Sequence, residues 1–260
     1  MHSSSHRLSR RSFLQHTGAA VLAFPFVSRL GAASANGMLR HASFGASGMA
    51  GADLNAITGT GTFGDMGCHI YDPVFNALAL TAPVSVRSEG PAPGADSWAI
   101  NAVIHYLFPG TPHTESDTIR VTWYDGDRRP PQSVAALLEG QELPGQGSVF
   151  IGTKGVMLLP HVDRPSLFPK ADFADYQMPE ISGANHWEQF VNACLGHGAT
   201  SANFDYAGPL TETVLLGSLA TRFPKQTLEW NSAQLTFTNV KEANTFVGRS
   251  YRKGWEPRWV

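Results

Sequence analysis

Polar side chains recur at helical spacing around residue 70. Asp65, His69, Asp72 and Asn76 fall at i, i+4, i+7 and i+11, so they share one side of a helix. Histidine titrates near neutral pH and can act as a general acid or base. A carboxylate one helical turn away can orient the imidazole ring or bind a ligand hydroxyl. The pattern is compatible with acid–base chemistry at His69, with Asp65 beside it.

Two other interpretations fit the same four residues. Asp65 can be a capping acid and His69 a hydrogen-bonded structural histidine, and the spacing alone favours this interpretation. Asp65, His69 and Asp72 also offer two carboxylates and an imidazole, which are plausible metal ligands. No further histidine lies near them in the sequence, so we predict no metal site.

The helix that carries these residues is predicted over 65–80. Met66, Ile70, Val74 and Leu78 form an apolar stripe beside the polar one. Pro73 leaves the carbonyl of His69 without its usual helical donor, which favours a kink.

The remaining chain reads as runs of strands followed by helices, which predicts an α+β fold with an open, largely antiparallel sheet and helices packed on one face. Gly152-Thr153-Lys154-Gly155 predicts a hairpin that places Val149 and Ile151 opposite Val156 and Leu158. The other strands are predicted over 84–89, 98–108, 117–125, 228–230 and 234–237, and the helices over 185–195, 210–223 and 241–246. Trp98, Trp123, Trp187 and Trp230 are expected to pack the sheet and its helices.

A shorter pattern precedes the 65–80 helix. A strand over 38–44, a glycine-rich turn and a helix over 52–57 match part of the dinucleotide-binding fingerprint. The predicted cofactor-binding residues are Gly45, Ser47, Gly48, Met49 and Ala50. Ser47 replaces the second glycine, and the further strand–helix units of a nucleotide domain are missing. We therefore predict only a remnant of a Rossmann domain over residues 36–60.

The first 35 residues resemble an export signal. Ser9-Arg10-Arg11-Ser12-Phe13-Leu14 is a twin-arginine motif, followed by a weakly apolar run and by Ala33-Ser34-Ala35 as a cleavage site. This order predicts delivery to the periplasm or outside the cell by the twin-arginine pathway, with a mature chain that begins near Asn36.

Composition excludes several classes of protein. Four of the 19 basic residues and none of the 21 acidic residues lie in 1–35, so the remaining chain is mildly acidic and lacks the basic stripe of a nucleic-acid-binding protein. No run of 18 uninterrupted apolar residues occurs, so no integral membrane span is predicted. Cys68 and Cys194 are expected to be buried free thiols.

Three segments resemble one enzyme family. Gly61-Thr-Phe-Gly-Asp65-Met-Gly67-Cys-His69-Ile-Tyr-Asp72 is similar to the G-x-x-G-D-x-G-x-H-x-x-D helix of the glucose–fructose oxidoreductase / inositol dehydrogenase / rhizopine catabolism (Gfo/Idh/MocA) family. The exported bacterial branch of this family is resembled by two later segments. These are Asn203-Phe-Asp-Tyr-Ala-Gly-Pro-Leu-Thr-Glu-Thr-Val-Leu-Leu-Gly217 and Phe237-Thr-Asn-Val-Lys-Glu-Ala-Asn244, the latter followed by Tyr251-Arg-Lys-Gly-Trp255.

The resemblance implies NAD(P)-dependent oxidation or reduction of a sugar or polyol by a nucleotide domain followed by an α+β domain, here residues 61–260. It implies that His69 is the catalytic acid/base and Asp65 its neighbour in the pocket. Asp72 and Tyr206 are predicted to bind substrate, and the loop with His161, Asp163 and Arg164 to border the pocket. His161 itself, like His186 and His197, is interpreted as a surface or packing residue. A homo-oligomer through the sheet is a further expectation.

The chain departs from the family at one motif. The family's Glu-Lys-Pro is absent, and all five lysines follow the His69 helix. About 100–150 residues of nucleotide domain are predicted to be missing, so we expect NAD or NADP to bind weakly and the chain to be inactive alone. The alternatives are a non-catalytic carbohydrate-binding or oligomerisation module, and an NAD-dependent glycoside hydrolase of the same family.

Overall fold

A computed structural model describes residues 61–94, 97–181, 183–248 and 250–255. The chain divides into two units after Gly59, and every described residue belongs to the second. The export signal, the 38–44 strand and the predicted cofactor-binding turn lie outside the described residues and stay predictions. Those turn residues are Gly45, Ser47, Gly48, Met49 and Ala50.

The described residues form two antiparallel sheets and four α-helices, as expected for an α+β fold. The helices are α1 (Gly61–Ala77), α2 (Gln132–Ala135), α3 (His186–Cys194) and α4 (Phe204–Ala220), with 3₁₀ turns at Ala136–Leu138 and Lys241–Phe246. The strands are β1 (Ser85–Glu89), β2 (Val103–Pro109), β3 (Thr118–Tyr124), β4 (Gly147–Ile151), β5 (Val156–Pro160), β6 (Ser166–Phe168), β7 (Thr227–Asn231) and β8 (Thr236–Phe237). No described helix has the length and apolar character needed to cross a bilayer.

The larger sheet has the order β3-β2-β1-β7-β8 and carries the main core. Strand β2 alternates between fully buried and half-buried residues, and Ile104, Tyr106 and Phe108 point into the core. Helices α1 and α4 pack on this side, where aromatic rings from α1 meet those of β2. The helices therefore cover one face of the sheet, as the sequence predicts.

The buried side of α1 is displaced from the predicted stripe. Its most deeply buried side chains are Phe63, Tyr71 and Phe75, whereas Met66 and Ile70 are only partly buried at its flank. The shift arises because α1 packs against α4 as well as the sheet. A Cβ atom on Gly67 would lie 3.0 Å from Val214 Cγ2 of α4, so glycine permits this close approach.

Helix α4 begins six residues before the predicted start at 210. The Asn203 side chain accepts a hydrogen bond from the backbone N–H of Tyr206 at 3.3 Å and caps the helix. Because of this cap the helix begins before Pro209, and the proline lies inside the helix. Strand β2 instead begins five residues after the predicted start at 98, since Asn101 adopts a left-handed backbone conformation with φ 62°.

The smaller sheet has the order β4-β5-β6 and its own small core. The predicted hairpin register is confirmed, because Val149 pairs with Leu158 and Ile151 with Val156. No sequence pattern indicated α2 or β6, which are four and three residues long. The buried side chains of this region are Leu138, Val156, Leu158 and Phe168.

Helix α3 is present, but its apolar side is not covered by the described residues. Trp187 is 77% exposed and Phe190 61% exposed, and the helix has no buried residue. The expectation that Trp187 packs the sheet is therefore wrong, whereas Trp123 and Trp230 are buried as predicted. Amphipathic spacing predicts which side of a helix is apolar and does not say whether anything packs on it.

Both cysteines are free thiols, but neither is buried. Cys68 lies on the outer side of α1 next to His69, and its Sγ donates to the carbonyl oxygen of Asp65 at 3.3 Å. Cys194 lies on the exposed helix α3. The predicted burial is wrong because each thiol belongs to the uncovered side of its helix.

Candidate functional site

The candidate site is built on α1, which lies between α4 and strand β4. At its N-terminal end the Thr62 hydroxyl and the Gly126 N–H donate to the Asp125 carboxylate after β3, and this side chain is only 5% exposed. Burial raises the pKa of Asp125, and the two hydrogen bonds oppose that rise. The contact joins the beginning of α1 to the larger sheet.

On its other flank, α1 is joined to the smaller sheet. The Ser148 hydroxyl of β4 donates to the carbonyl oxygen of Ile70 at 3.4 Å. Pro73 has no N–H to donate to the carbonyl oxygen of His69, which is next to Ile70. This part of the helix therefore makes one backbone hydrogen bond fewer than the rest. Ser148 therefore contacts the helix within two residues of both His69 and Asp72.

Asp65 and His69 occupy the exposed side of α1, as the predicted polar stripe requires. Asn76 is exposed on the same side, and Asp72 is half-buried at its edge. The first two residues are thus accessible to a ligand from solvent. Their role as a catalytic pair stays a prediction.

The two predicted substrate-binding residues lie in direct contact. Tyr206 Oη of α4 donates to Asp72 Oδ1 of α1 at 2.5 Å and lies 3.3 Å from the Asp72 carbonyl oxygen. Burial raises the pKa of the Tyr206 phenol, and the hydrogen bond to Asp72 and its negative charge raise it further, against a smaller opposing effect of Asn76. The phenol therefore stays protonated at neutral pH and holds one carboxylate oxygen, which leaves the other to accept a ligand hydroxyl.

Glu212, on the same helix as Tyr206, has a different contact. Its Oε1 accepts a hydrogen bond from the indole Nε1 of Trp230 at 2.5 Å. Because α4 begins at Phe204, Glu212 is in the helix interior and not at a helix start. It stabilises the packing of α4 on β7 and does not face Asp72.

A second histidine lies beside His69. The ring centroids of His69 and His161 are 6.2 Å apart, and both side chains are exposed. His161 follows β5, and its backbone N–H donates to the carbonyl oxygen of Gln146 at 3.1 Å. The sequence predicted that this loop borders the pocket but gave His161 no role, because only the packing of the smaller sheet on α1 brings the two rings together.

An open cavity of about 810 Å³ adjoins His161. It lies at the end of the smaller sheet where β4 begins and β5 ends, opposite the hairpin turn with Lys154. Its polar lining residues are Gln141, Glu142, Gln146, His161 and Asp163, and its apolar lining includes Pro144, Leu158, Pro160 and Val162.

The described residues contain no group of three or more histidine, cysteine, aspartate or glutamate side chains placed to hold a metal ion. A metal at Asp65, His69 and Asp72 is therefore not supported. The strand pairs of the described region are all antiparallel, so this part of the chain lacks the parallel βαβ unit of a dinucleotide site. The residues predicted to bind NAD or NADP lie outside it.

Comparisons with protein-family models and with curated proteins found no match to this chain. The Gfo/Idh/MocA resemblance therefore rests on the three sequence segments alone.

Proposed function

We propose that residues 61–255 are the sugar- or polyol-binding α+β domain of a Gfo/Idh/MocA-type oxidoreductase. The supporting observation is the contact of Asp72 with Tyr206, one helical turn from the exposed His69. Asp72 and Tyr206 are 134 residues apart and come from two separate segments of the resemblance. Their contact places the polar residues of both segments at one surface.

In this proposal each residue has a defined role. The free oxygen of Asp72 binds one ligand hydroxyl, while Tyr206 holds the carboxylate in place. His69 faces the neighbouring hydroxyl and accepts its proton through the imidazole, with Asp65 one turn away to orient the ring. A bound nicotinamide would supply the acceptor for the hydride of the same carbon.

The test is the binding of neutral sugars and polyols to the full chain, monitored by nitrogen–proton NMR. Asp72→Asn and Tyr206→Phe should each weaken binding by about tenfold or more, because a hydrogen bond to a charged group is worth about 1.5–3 kcal/mol. Tyr176→Phe is the matched control, since Tyr176 is 55% exposed outside this site. Equal binding by all variants, or shifts confined to residues far from α1, would contradict the proposal.

The runner-up is a non-catalytic carbohydrate-binding module, favoured by the absence of a parallel βαβ unit from the described residues. Calorimetric titration of the full chain with NAD(H) and NADP(H) tests the module. Micromolar binding would contradict it and favour a complete cofactor site, whereas binding weaker than about millimolar agrees both with the module and with the predicted loss of the nucleotide domain. Released sugar products would instead indicate the glycoside hydrolase.

The proposal also includes the location of the protein and its self-association. Export by the twin-arginine pathway would place the domain in the periplasm or outside the cell. Self-association through the outer face of the larger sheet would leave α1 and its polar residues accessible, because the helices lie on the opposite face.

A further inference from the structure

The cavity next to His161 is linked to α1 by one pair of neighbouring imidazole rings. His161 is one of its lining residues and is also the neighbour of His69. Two rings with centroids 6.2 Å apart can both reach one oxygen atom placed between them, since each hydrogen bond spans about 2.7–3.2 Å. A ligand in the cavity can thus extend a hydroxyl to both imidazoles.

The cavity walls offer the groups that bind hydroxyls. Gln141 and Gln146 carry amides that both donate and accept, and Glu142 and Asp163 carry carboxylates that accept. The apolar part of the lining, with Pro144, Pro160 and Val162, can contact the C–H face of a ring. This mixture suits a polyhydroxylated ligand better than a purely apolar one.

The charges of the site are strongly one-sided. Two carboxylates and no lysine or arginine line the cavity. The closest arginine in the sequence, Arg164, donates its backbone N–H to the Asp163 carboxylate and does not line the cavity. An anionic ligand would meet carboxylates here without a permanent cation to compensate its charge.

We propose that this cavity binds a neutral or amine-bearing sugar or polyol and excludes sugar acids and sugar phosphates, and that His161 joins His69 in contacting the ligand. The inference deepens the proposed function and rests on it for the general class of ligand. The cavity supplies the selectivity by charge, and the imidazole pair connects it to the residues of α1.

The experiment compares glucosamine, glucose and glucuronate as probes, each titrated into the full chain at neutral pH and low salt. Glucosamine should bind at least about tenfold more tightly than glucuronate, with glucose between them. The double variant Glu142→Gln/Asp163→Asn should remove most of this preference. Glu229→Gln, an exposed change on the larger sheet, should leave it unaltered.

His161→Ala should weaken binding of all three probes by a similar factor, since an imidazole contact to a hydroxyl does not discriminate by ligand charge. His113→Ala, on an exposed loop, is the matched control and should have no effect. Amide shifts on binding should appear at residues 141–146 and 161–163. Circular dichroism and the NMR spectrum of each free variant show whether it folds.

The outcomes separate this inference from the proposed function. If Asp72→Asn and Tyr206→Phe weaken binding and the cavity variants do not, the cavity inference is overturned while the proposed function stands. If only the cavity variants weaken binding, the proposed role of Asp72 and Tyr206 is overturned while the cavity inference stands. Equal or tighter binding of glucuronate overturns the charge selectivity, and no binding of any probe overturns both.

Discussion

The larger and smaller sheets use their side chains differently. The five-stranded sheet, with α1 and α4, encloses a core in which aromatic rings of α1 and β2 contact one another, including Tyr71, Phe75, Tyr106 and Phe108. The three-stranded sheet encloses only four fully buried apolar residues and leaves the ends of its strands open to a cavity. Stability is thus concentrated in the first region, and accessible polar groups are concentrated where the second meets α1.

This difference indicates how the site is held. Asp72 and His69 belong to a helix whose inner side is part of the main core, so their backbone positions are fixed by the larger sheet. His161 directly follows β5 of the smaller sheet, whose folding free energy must be lower if stability follows buried apolar area. The three predictions below test this division, from the largest expected effect to the smallest.

Truncation of one buried phenylalanine in each region gives the strongest test. Phe108 and Phe168 are both fully buried. Phe108→Ala should lower the free energy of unfolding by about 3–5 kcal/mol, which is a large part of the total stability of a domain. Phe168→Ala should mainly remove hydrogen-exchange protection from β4, β5 and β6. Denaturant unfolding and hydrogen exchange measure the two effects.

The division into two regions fails if Phe168→Ala also removes protection from β1 and β2. In that case the sheets would unfold as one cooperative unit, and the site would not lie at a boundary between more and less stable parts.

A smaller effect is expected where α4 approaches the larger sheet. A Cβ atom on Gly217 would collide with the Tyr106 hydroxyl and lie 2.5 Å from a ring carbon of Phe63. Gly217→Ala should therefore cost about 1–3 kcal/mol through overpacking. Gly208→Ala, in the same helix with no atom near the added methyl group, should instead stabilise by up to about 1 kcal/mol. Thermal unfolding of both variants measures the difference, and equal costs would show that the close approach is not maintained.

The smallest effect concerns the contact of Asp72 with Tyr206. Tyr206→Phe should cost about 1 kcal/mol at pH 7, less than a fully buried hydrogen bond because the pair is partly exposed. The folded state raises the pKa of Tyr206 above the unfolded value near 10, so the folded state holds this proton more tightly. Stability should be intact below about pH 10 and fall as the pH rises further.

Tyr71 and Tyr106 contribute to the same alkaline loss, because burial also raises their pKa values. Tyr206→Phe should make the decline above pH 10 less steep without abolishing it. Tyr176→Phe is the control, and a pH profile of unfolding by urea is the measurement. An unchanged slope in Tyr206→Phe would mean that Asp72 and Tyr206 do not interact in solution.

Local patterns were sufficient for parts of this fold. Alternating residues around Gly152-Thr153-Lys154-Gly155 specified both strands of the hairpin and their register. The polar stripe of α1 follows directly from helical spacing, and its outward position was predicted correctly. The residues at the centre of the buried side of α1 were not predicted correctly, because α4 also packs on this helix and residue spacing does not show where it does so.

The site residues were predictable as types but not as an arrangement. Tyr206 and Asp72 are far apart in the sequence, and their pairing exists only because α1 and α4 pack together. His161 approaches His69 because the smaller sheet lies beside α1, a tertiary contact with no sequence signal. The exposed side of α3 shows the same limit, since amphipathic spacing does not identify what covers it.

His69 and Asp72 are carried by a helix, and this has a consequence for how the sequence of such a protein can evolve. Two residues that lie three positions apart on a helix, as His69 and Asp72 do, are separated by about 4.5 Å of axial rise. Changes in the surrounding loops do not alter this distance. The cavity residues 141–146 and 161–163 belong to loops, which tolerate substitution and changes of length far better than packed helices do. Under the proposed function, variation in these loops would change which ligand is accepted while His69 and Asp72 keep their spacing, so ligand preference and acid–base chemistry would evolve separately.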